Sequence, residues 1–288
     1  VVSSGANWFI CHFAVRHEAN RFGVPLTFSG CMQELPLLWK FSLPAVLSAL
    51  MVTPVNWACN AVFVNQADGY ANLGVFAAAV SMSVIVVTIN AMLGQVLLPM
   101  TIALLDKGNN RFDFLNFALP WAIGIAFALP IMVFPEVGGV VFGRGYAGDH
   151  AERTVLYVMF YMLIIAHRQS IARNFVARSY MWYGVFSNLF WGTSALVFAY
   201  VFRSGGAEGR AGAFLLAYVL NTVIFIPFYL SRSLCARNLL ISLPSILIWA
   251  IIVLVFLLML ASRPPVIVRI PVLLCSYGLI IGSFRALW

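Results

Sequence analysis

An all-helical, polytopic transmembrane bundle is the fold this sequence predicts, and three observations predict it. Of the 288 residues, 62% are hydrophobic and only 9% charged, with a mean hydropathy of +0.96, whereas soluble domains are about one quarter charged. The apolar residues fall in runs of roughly twenty, which at about 1.5 Å per residue cross a hydrocarbon core of about 30 Å. No stretch shows the alternation over about ten residues that marks an outer-membrane barrel strand. The net charge of +8 would point to nucleic acid in a soluble protein. Here the basic residues sit mostly in short loops, where positive-inside bias and anionic headgroups account for them. No nucleic-acid partner is expected.

The chain begins with an apolar run, Val1–Val15, too short to span. It has neither the basic stretch before it nor the small-residue site after it that a signal peptide needs, so it reads as the end of a truncated helix. Residues 16–40 carry Arg16, Arg21 and Lys40, are broken by Pro25, Gly30 and Pro36, and place Leu35, Leu37, Leu38 and Trp39 where they can lie at an interface. They read as a cytoplasmic amphipathic linker. Residues 41–230 form a six-helix bundle and 231–288 a C-terminal hairpin, eight spans in all.

The first span, 41–64, has Pro54, Asn56 and Asn60 at its middle. Proline removes a backbone donor, and two amides four residues apart share a face, so this helix packs against others and does not face lipid all round. Helix–helix hydrogen bonding and substrate contact both fit the two amides. Leu73–Leu105 is one apolar segment, about 50 Å if straight, that must tilt, kink at Pro99 or project beyond the bilayer. It carries Asn90 and Gln95. Phe114–Phe134, with Pro120 and Pro130, follows a loop holding Lys107 and Arg111. Pro135–Arg153 is the longest outer loop. Thr154–Arg178 and Tyr180–Phe202 make a tight hairpin, Arg203–Arg210 is a glycine-rich loop, Ala211–Leu230 spans again, and Leu239–Ala261 with Val266–Leu287 closes the chain.

Lysine and arginine settle the orientation. Arg16, Arg21, Lys40, Lys107, Arg111, Arg173, Arg178, Arg232, Arg237 and Arg285 fall on one side. The other side has Arg144, Arg153, Arg203, Arg210, Arg263 and Arg269, together with Asp68, Glu136, Asp149, Glu152 and Glu208. The excess assigns the 16–40 linker to the cytoplasm.

The most polar span is Thr154–Arg178. His167, Ser170, Asn174 and Arg178 share one helical face, Gln169 and Arg173 lie beside it, and Arg168 projects toward the other side. An arginine in hydrocarbon costs a few kcal/mol, so Arg168, about twenty ångströms from the outer end by helical rise, should face a wet cavity or a partner and could contact an anion. Arg178 should snorkel to headgroups; Arg173 could do the same or face the cavity. His167 could equally be a neutral interhelical histidine. Every Asp and Glu lies outside the spans, so a depth-buried carboxylate for Na⁺ or H⁺ coupling has no candidate here. There is no phosphate-binding Walker loop, and Cys11, Cys31, Cys59, Cys235 and Cys275 are scattered. No catalytic residue, metal site or cofactor is expected. Asp149, Glu152 and Glu136 are the nearest approach to the acidic metal site of a membrane glycosyltransferase.

The run Lys40–Ala79 (KFSLPAVLSALMVTPVNWACNAVFVNQADGYANLGVFAAA), then Gly94–Pro99 (GQVLLP), resembles the middle of bacterial polysaccharide flippases of the Wzx type. These belong to the superfamily of multidrug/oligosaccharidyl-lipid/polysaccharide exporters. The resemblance includes Pro54–Trp57, Asn60 and Asn65–Tyr70, and continues in Phe142–Tyr146 and Arg178–Tyr183. It implies an inner-membrane protein of two helical lobes, of which this chain would hold the second. It also implies a cavity that takes a lipid-linked oligosaccharide by its pyrophosphate and sugars. Arg168, Arg173, Gln169 and Asn174 fit such a cavity by residue type, with His167, Asn56, Asn60, Asn90 and Gln95 as further polar candidates and Pro54 and Pro99 as hinges. The implied partners are the lipid-linked oligosaccharide, membrane lipids, a polysaccharide polymerase and a chain-length regulator. A lipid II flippase or cation-coupled drug antiporter of the same superfamily, or a membrane-embedded polymerase or glycosyltransferase, are the alternatives.

Overall fold

A computed structural model describes residues 2–24, 31–104 and 110–288, and these are helical with no strand among them. In chain order the helices are α1 (Val2–Arg21), α2 (Leu35–Val64), α3 (Gly69–Met82), α4 (Val84–Leu104), α5 (Asn110–Val133), the short α6 (Val137–Phe142), α7 (Asp149–Ala177), α8 (Met181–Val201), α9 (Gly206–Ser231), the single-turn α10 (Arg237–Ile241), α11 (Leu243–Ala261) and α12 (Val266–Leu287). Among the described residues, eight helical segments are long and apolar enough to cross a membrane. The protein is an all-α multi-pass membrane bundle.

The helix α7 is its axis. Within its apolar window 72% of residues are buried inside protein, against 6% for α2 and 11% for α12. It packs on α5, α9, α4 and α3, while α2 lies against α8 on the flank. Small residues set the close crossings, as expected where lipid gives helices no hydrophobic reason to associate. A Cβ on Gly124 of α5 would come within 2.8 Å of Ala166, and one on Gly192 of α8 within 2.8 Å of Val55. The C-terminal hairpin, α11 and α12, attaches through rings: Trp121 of α5 packs with Trp249 and Phe284 at 5.5 and 5.4 Å between centroids.

Connections gather at two ends. At one, Arg263 pairs with Asp149 and Glu152, Arg269 with Glu136, and Arg153 with Glu208. At the other, Asp113, Arg178, Ser233 and Leu239 surround one small cavity. Successive spans therefore alternate in direction between a carboxylate-rich end and a basic end.

Several boundaries differ from the sequence reading. Helix α1 runs through residue 15 without a break, and α2 begins at Leu35, not 41, with a π-helical turn over Leu38–Ser42. Pro36 thus stands in a first turn, where its missing N–H costs no helical bond. Val1, the breaks expected at Pro25 and Gly30, and the loop residue Lys107 lie outside the described residues. The long apolar segment after residue 73 is interrupted at Ser83, not at Pro99. The Ser83 N–H and hydroxyl both turn back to the carbonyl of Val80, at 2.9 and 2.6 Å, breaking the ladder. Pro99 and Pro54 sit inside unbroken helices. The expected outer loop 135–153 contains α6, and α7 starts at Asp149, where Asp149 and Glu152 suit the positive end of the helix dipole. Helix α9 starts at Gly206, which draws Arg210 out of its expected loop and into a helix.

Candidate functional site

The polar residues of α7 are sorted onto different faces, and only one face opens into a cleft. Arg168, half-buried, donates from Nη2 to the Ser187 hydroxyl of α8 at 3.2 Å and to the Tyr229 hydroxyl of α9 at 3.1 Å. Ser187 Oγ donates onward to Asn221 Oδ1 at 3.3 Å, and Asn221 Nδ2 donates to the Ser187 carbonyl at 2.9 Å. Among the described residues no carboxylate pairs with Arg168 and no other hydrogen bond engages its guanidinium. A cleft of about 170 Å³ is lined by Arg168, Gln169, Ala172, Asn188, Tyr218 and Tyr229. The Gln169 amide, also half-buried, is unpartnered within the described residues.

By helical rise Arg168 lies about 13 Å from the basic end of α7 and about 28 Å from the other. It is therefore nearer the basic end than the expected midpoint, because α7 begins five residues before Thr154. Such a group of donors is chemically suited to an anion. A planar guanidinium with unused N–H groups meets phosphate oxygens in pairs, and the amide and phenol groups add donors around it.

Arg173 is not part of this cleft. It is 5% exposed and faces α5, donating from Nε to Asn116 Oδ1 at 2.7 Å and from Nη2 to the Asn116 carbonyl at 2.6 Å. It is buried and does not snorkel, and its two bonds join α7 to α5. His167 turns the same way and is 4% exposed among the rings of Phe117, Trp121 and Trp249, with no hydrogen-bond partner on either nitrogen among the described residues. Asn174 donates to the Leu234 carbonyl at 2.6 Å and lines a small cavity of about 60 Å³ with Asp113, Asn116, Ser170 and Arg178 at the basic end. The shared face of His167, Ser170 and Asn174 is thus real, but it looks into the α5 seam and away from Arg168.

The remaining candidates are scattered. Asn56 donates to its own helix, to the Val52 carbonyl at 2.9 Å. Asn60 Oδ1 accepts from Arg210 Nε at 3.2 Å and Nη2 at 3.0 Å. Asn90 is buried in α4 with its Oδ1 unpartnered, while Gln95, Pro54 and Pro99 are exposed. Of the nine polar candidates, the structure brings together only Arg168 and Gln169.

What the sequence reading missed are the cleft's other walls, Asn188, Tyr218 and Tyr229, and the Ser187–Asn221 pair behind them. The polar signal was there, since Asn188 and Asn221 are amides inside apolar spans. Arg210 was missed as well. It is 1% exposed, with its guanidinium 3.7 Å over the Phe214 ring and 4.8 Å from the Phe76 ring. Cation–π contact and the Asn60 carbonyl hold this charge where no carboxylate among the described residues reaches it.

No protein-family model matches the chain, and no solved structure matches it. It is similar to the EPS I polysaccharide export inner membrane protein EpsE of Ralstonia nicotianae, with 33% identity over 112 residues. The similarity covers 38% of this chain and 25% of that protein's length.

Proposed function

We propose that this chain belongs to an inner-membrane exporter of polysaccharide precursors that works as a flippase of the Wzx type, carrying an undecaprenyl-pyrophosphate-linked oligosaccharide such as an O-antigen repeat unit across the bilayer. The observation that carries the reading is the Arg168 cleft: a guanidinium inside the membrane-spanning bundle, held by two hydroxyls and no carboxylate, with N–H groups left for an incoming anion. The similarity to a polysaccharide export protein of the inner membrane supports the cargo class.

Physical chemistry gives the reason for such a device. Sugar hydroxyls and a pyrophosphate lose their hydration in hydrocarbon with nothing to replace it. A cleft of guanidinium, amide and phenol groups substitutes for water. Tyr229 suits the exchange, because its hydroxyl, which accepts from Arg168, lines the cleft and can turn to donate to a phosphate oxygen when one enters. The position of Arg168 nearer the basic end matches loading from the side where lipid-linked precursors are built.

The test is cellular. Removing the protein should stop surface polysaccharide and leave lipid-linked repeat units on the cytoplasmic leaflet, protected from an impermeant periodate label. Units that reach the outer leaflet and stay unpolymerised would instead make it a polymerase, and export of a drug driven by a Na⁺ or H⁺ gradient would make it an antiporter.

A further inference from the structure

A second cleft lies at the carboxylate-rich end, and its chemistry is the reverse of the first. It has a volume of about 870 Å³, within the range of roughly 300–1,000 Å³ typical of small-molecule sites. Its walls come from the turn before α3, the outer half of α7, the start of α9 and one ring of α11. Asp68, Asn72 and Glu208 supply acceptors, and Tyr157, Phe202 and Phe256 supply ring faces.

Much of this polar lining has no partner within the protein. Among the described residues the Asp68 carboxylate, the Asn72 amide and the Tyr157 hydroxyl make no side-chain hydrogen bond. Glu208 lies 3.4 Å from His150 Nδ1 and is ion-paired to Arg153 at 3.7 Å, and its two oxygens retain accepting capacity beyond those contacts. Glycine makes the room. Gly206, at φ +57°, lies so close to Asn72 that a Cβ would sit 2.7 Å from the amide oxygen, whereas a Cβ on Gly212 would meet nothing within 4 Å. The first glycine lets the wall close, and the second leaves the floor empty.

We infer that this cleft is a saccharide subsite, binding the neutral sugar portion of the cargo at the end opposite the Arg168 cleft. The inference rests on the reading above that the cargo carries sugars. Sugar hydroxyls donate to carboxylate and amide oxygens, and the C–H faces of a pyranose ring lie against aromatic faces, whose quadrupole is negative. Asp68, which no cation pairs among the described residues, repels a phosphate, so the two clefts divide the cargo between them: the anion to Arg168, the sugars to the cleft around Glu208.

The experiment uses the full chain in lipid nanodiscs and saturation-transfer NMR. The probe is an oligosaccharide hydrolysed from the cell's own surface polysaccharide, freed of lipid and phosphate, with inorganic pyrophosphate as a separate probe. Transfer to sugar protons is expected in the native protein and should be retained in Arg168→Ala and Gly212→Ala. Gly212→Trp, which fills the floor, should abolish it, and Tyr157→Ala should weaken binding about fivefold. No transfer in the native protein, or undiminished transfer in Gly212→Trp at an unchanged Tm, overturns the inference. If Gly212→Trp lowers the Tm, Tyr157→Ala decides, and unchanged binding there overturns it. Sugar binding that persists while pyrophosphate fails to bind would sink the Arg168 reading and leave this subsite standing.

Discussion

Arg168 and Arg173 stand five residues apart on one helix, carry the same charge, and do different work. Arg173 is packed into the α5 seam with both the side-chain and main-chain oxygens of Asn116 fixed on it. The main-chain oxygen is fixed in the α5 backbone, and the side-chain oxygen is buried with Arg173 beside it. Arg168 rests on two hydroxyls beside an open cleft, and that of Tyr229, which lines the cleft, can rotate to serve another partner. Depth in the membrane does not separate an arginine held in the structure from one free to engage a ligand. The distinction lies in whether its partners are committed to it and whether water or a ligand can reach its remaining N–H groups.

The largest expected effect comes from breaking the committed pair. Arg173→Ala leaves the buried oxygens of Asn116 without donors and should cost about 3 kcal/mol of stability, seen as a fall in Tm and in folded protein recovered from membranes. Arg168→Ala should move the Tm little, because its hydroxyl partners can bond elsewhere. Equal losses of stability in the two variants would erase the distinction. Arg210→Ala should behave like Arg173→Ala, at about 2 kcal/mol, since it removes cation–π contact with Phe214 and both bonds to Asn60.

A smaller effect tests the cleft's own partners. Ser187→Ala and Tyr229→Phe should each cost about 1 kcal/mol and weaken export severalfold, Tyr229→Phe without altering packing. No change in export with either would mean that these hydroxyls play no part in handling the anion. The smallest effect concerns access. Cys235, buried beside the small cavity that Asn174 lines, has its thiol pushed up to about 12 by burial and by the nearby Asp113 carboxylate. Its thiolate fraction at pH 8 should be negligible, so maleimide should label exposed Cys11 and spare Cys235 until the protein unfolds. Labelling of native Cys235 at the rate of Cys11 would show that the α5 side of α7 is as wet as the Arg168 side.

The bundle was legible in the sequence because apolar runs of about twenty residues match the thickness of the hydrocarbon core, and all eight spans were anticipated. Arg168 was legible against that background, because a charge so far from either end of an apolar span stands out. The assembly of the site was not. A helical wheel groups His167, Ser170 and Asn174 correctly but cannot say that α5 covers that face, nor that Tyr229, sixty-one residues on, closes over Arg168. The Ser83 break escaped notice because both sides of it are equally apolar, and the prolines that drew attention were absorbed within continuous helices. Arg210 was hidden by its glycines, which read as a loop although they permit close packing against Phe202 and Asn72.

The central claim is tested most directly by export of lipid-linked repeat units in Arg168→Ala and Arg173→Ala, with the rate in each divided by the amount of folded protein in the membrane. Arg168→Ala should lose at least about tenfold, the worth of one charge-assisted bond to the cargo. Arg173→Ala, rarer but intact where it folds, should stay within about twofold of the native rate. A native rate per folded molecule in Arg168→Ala would contradict the account.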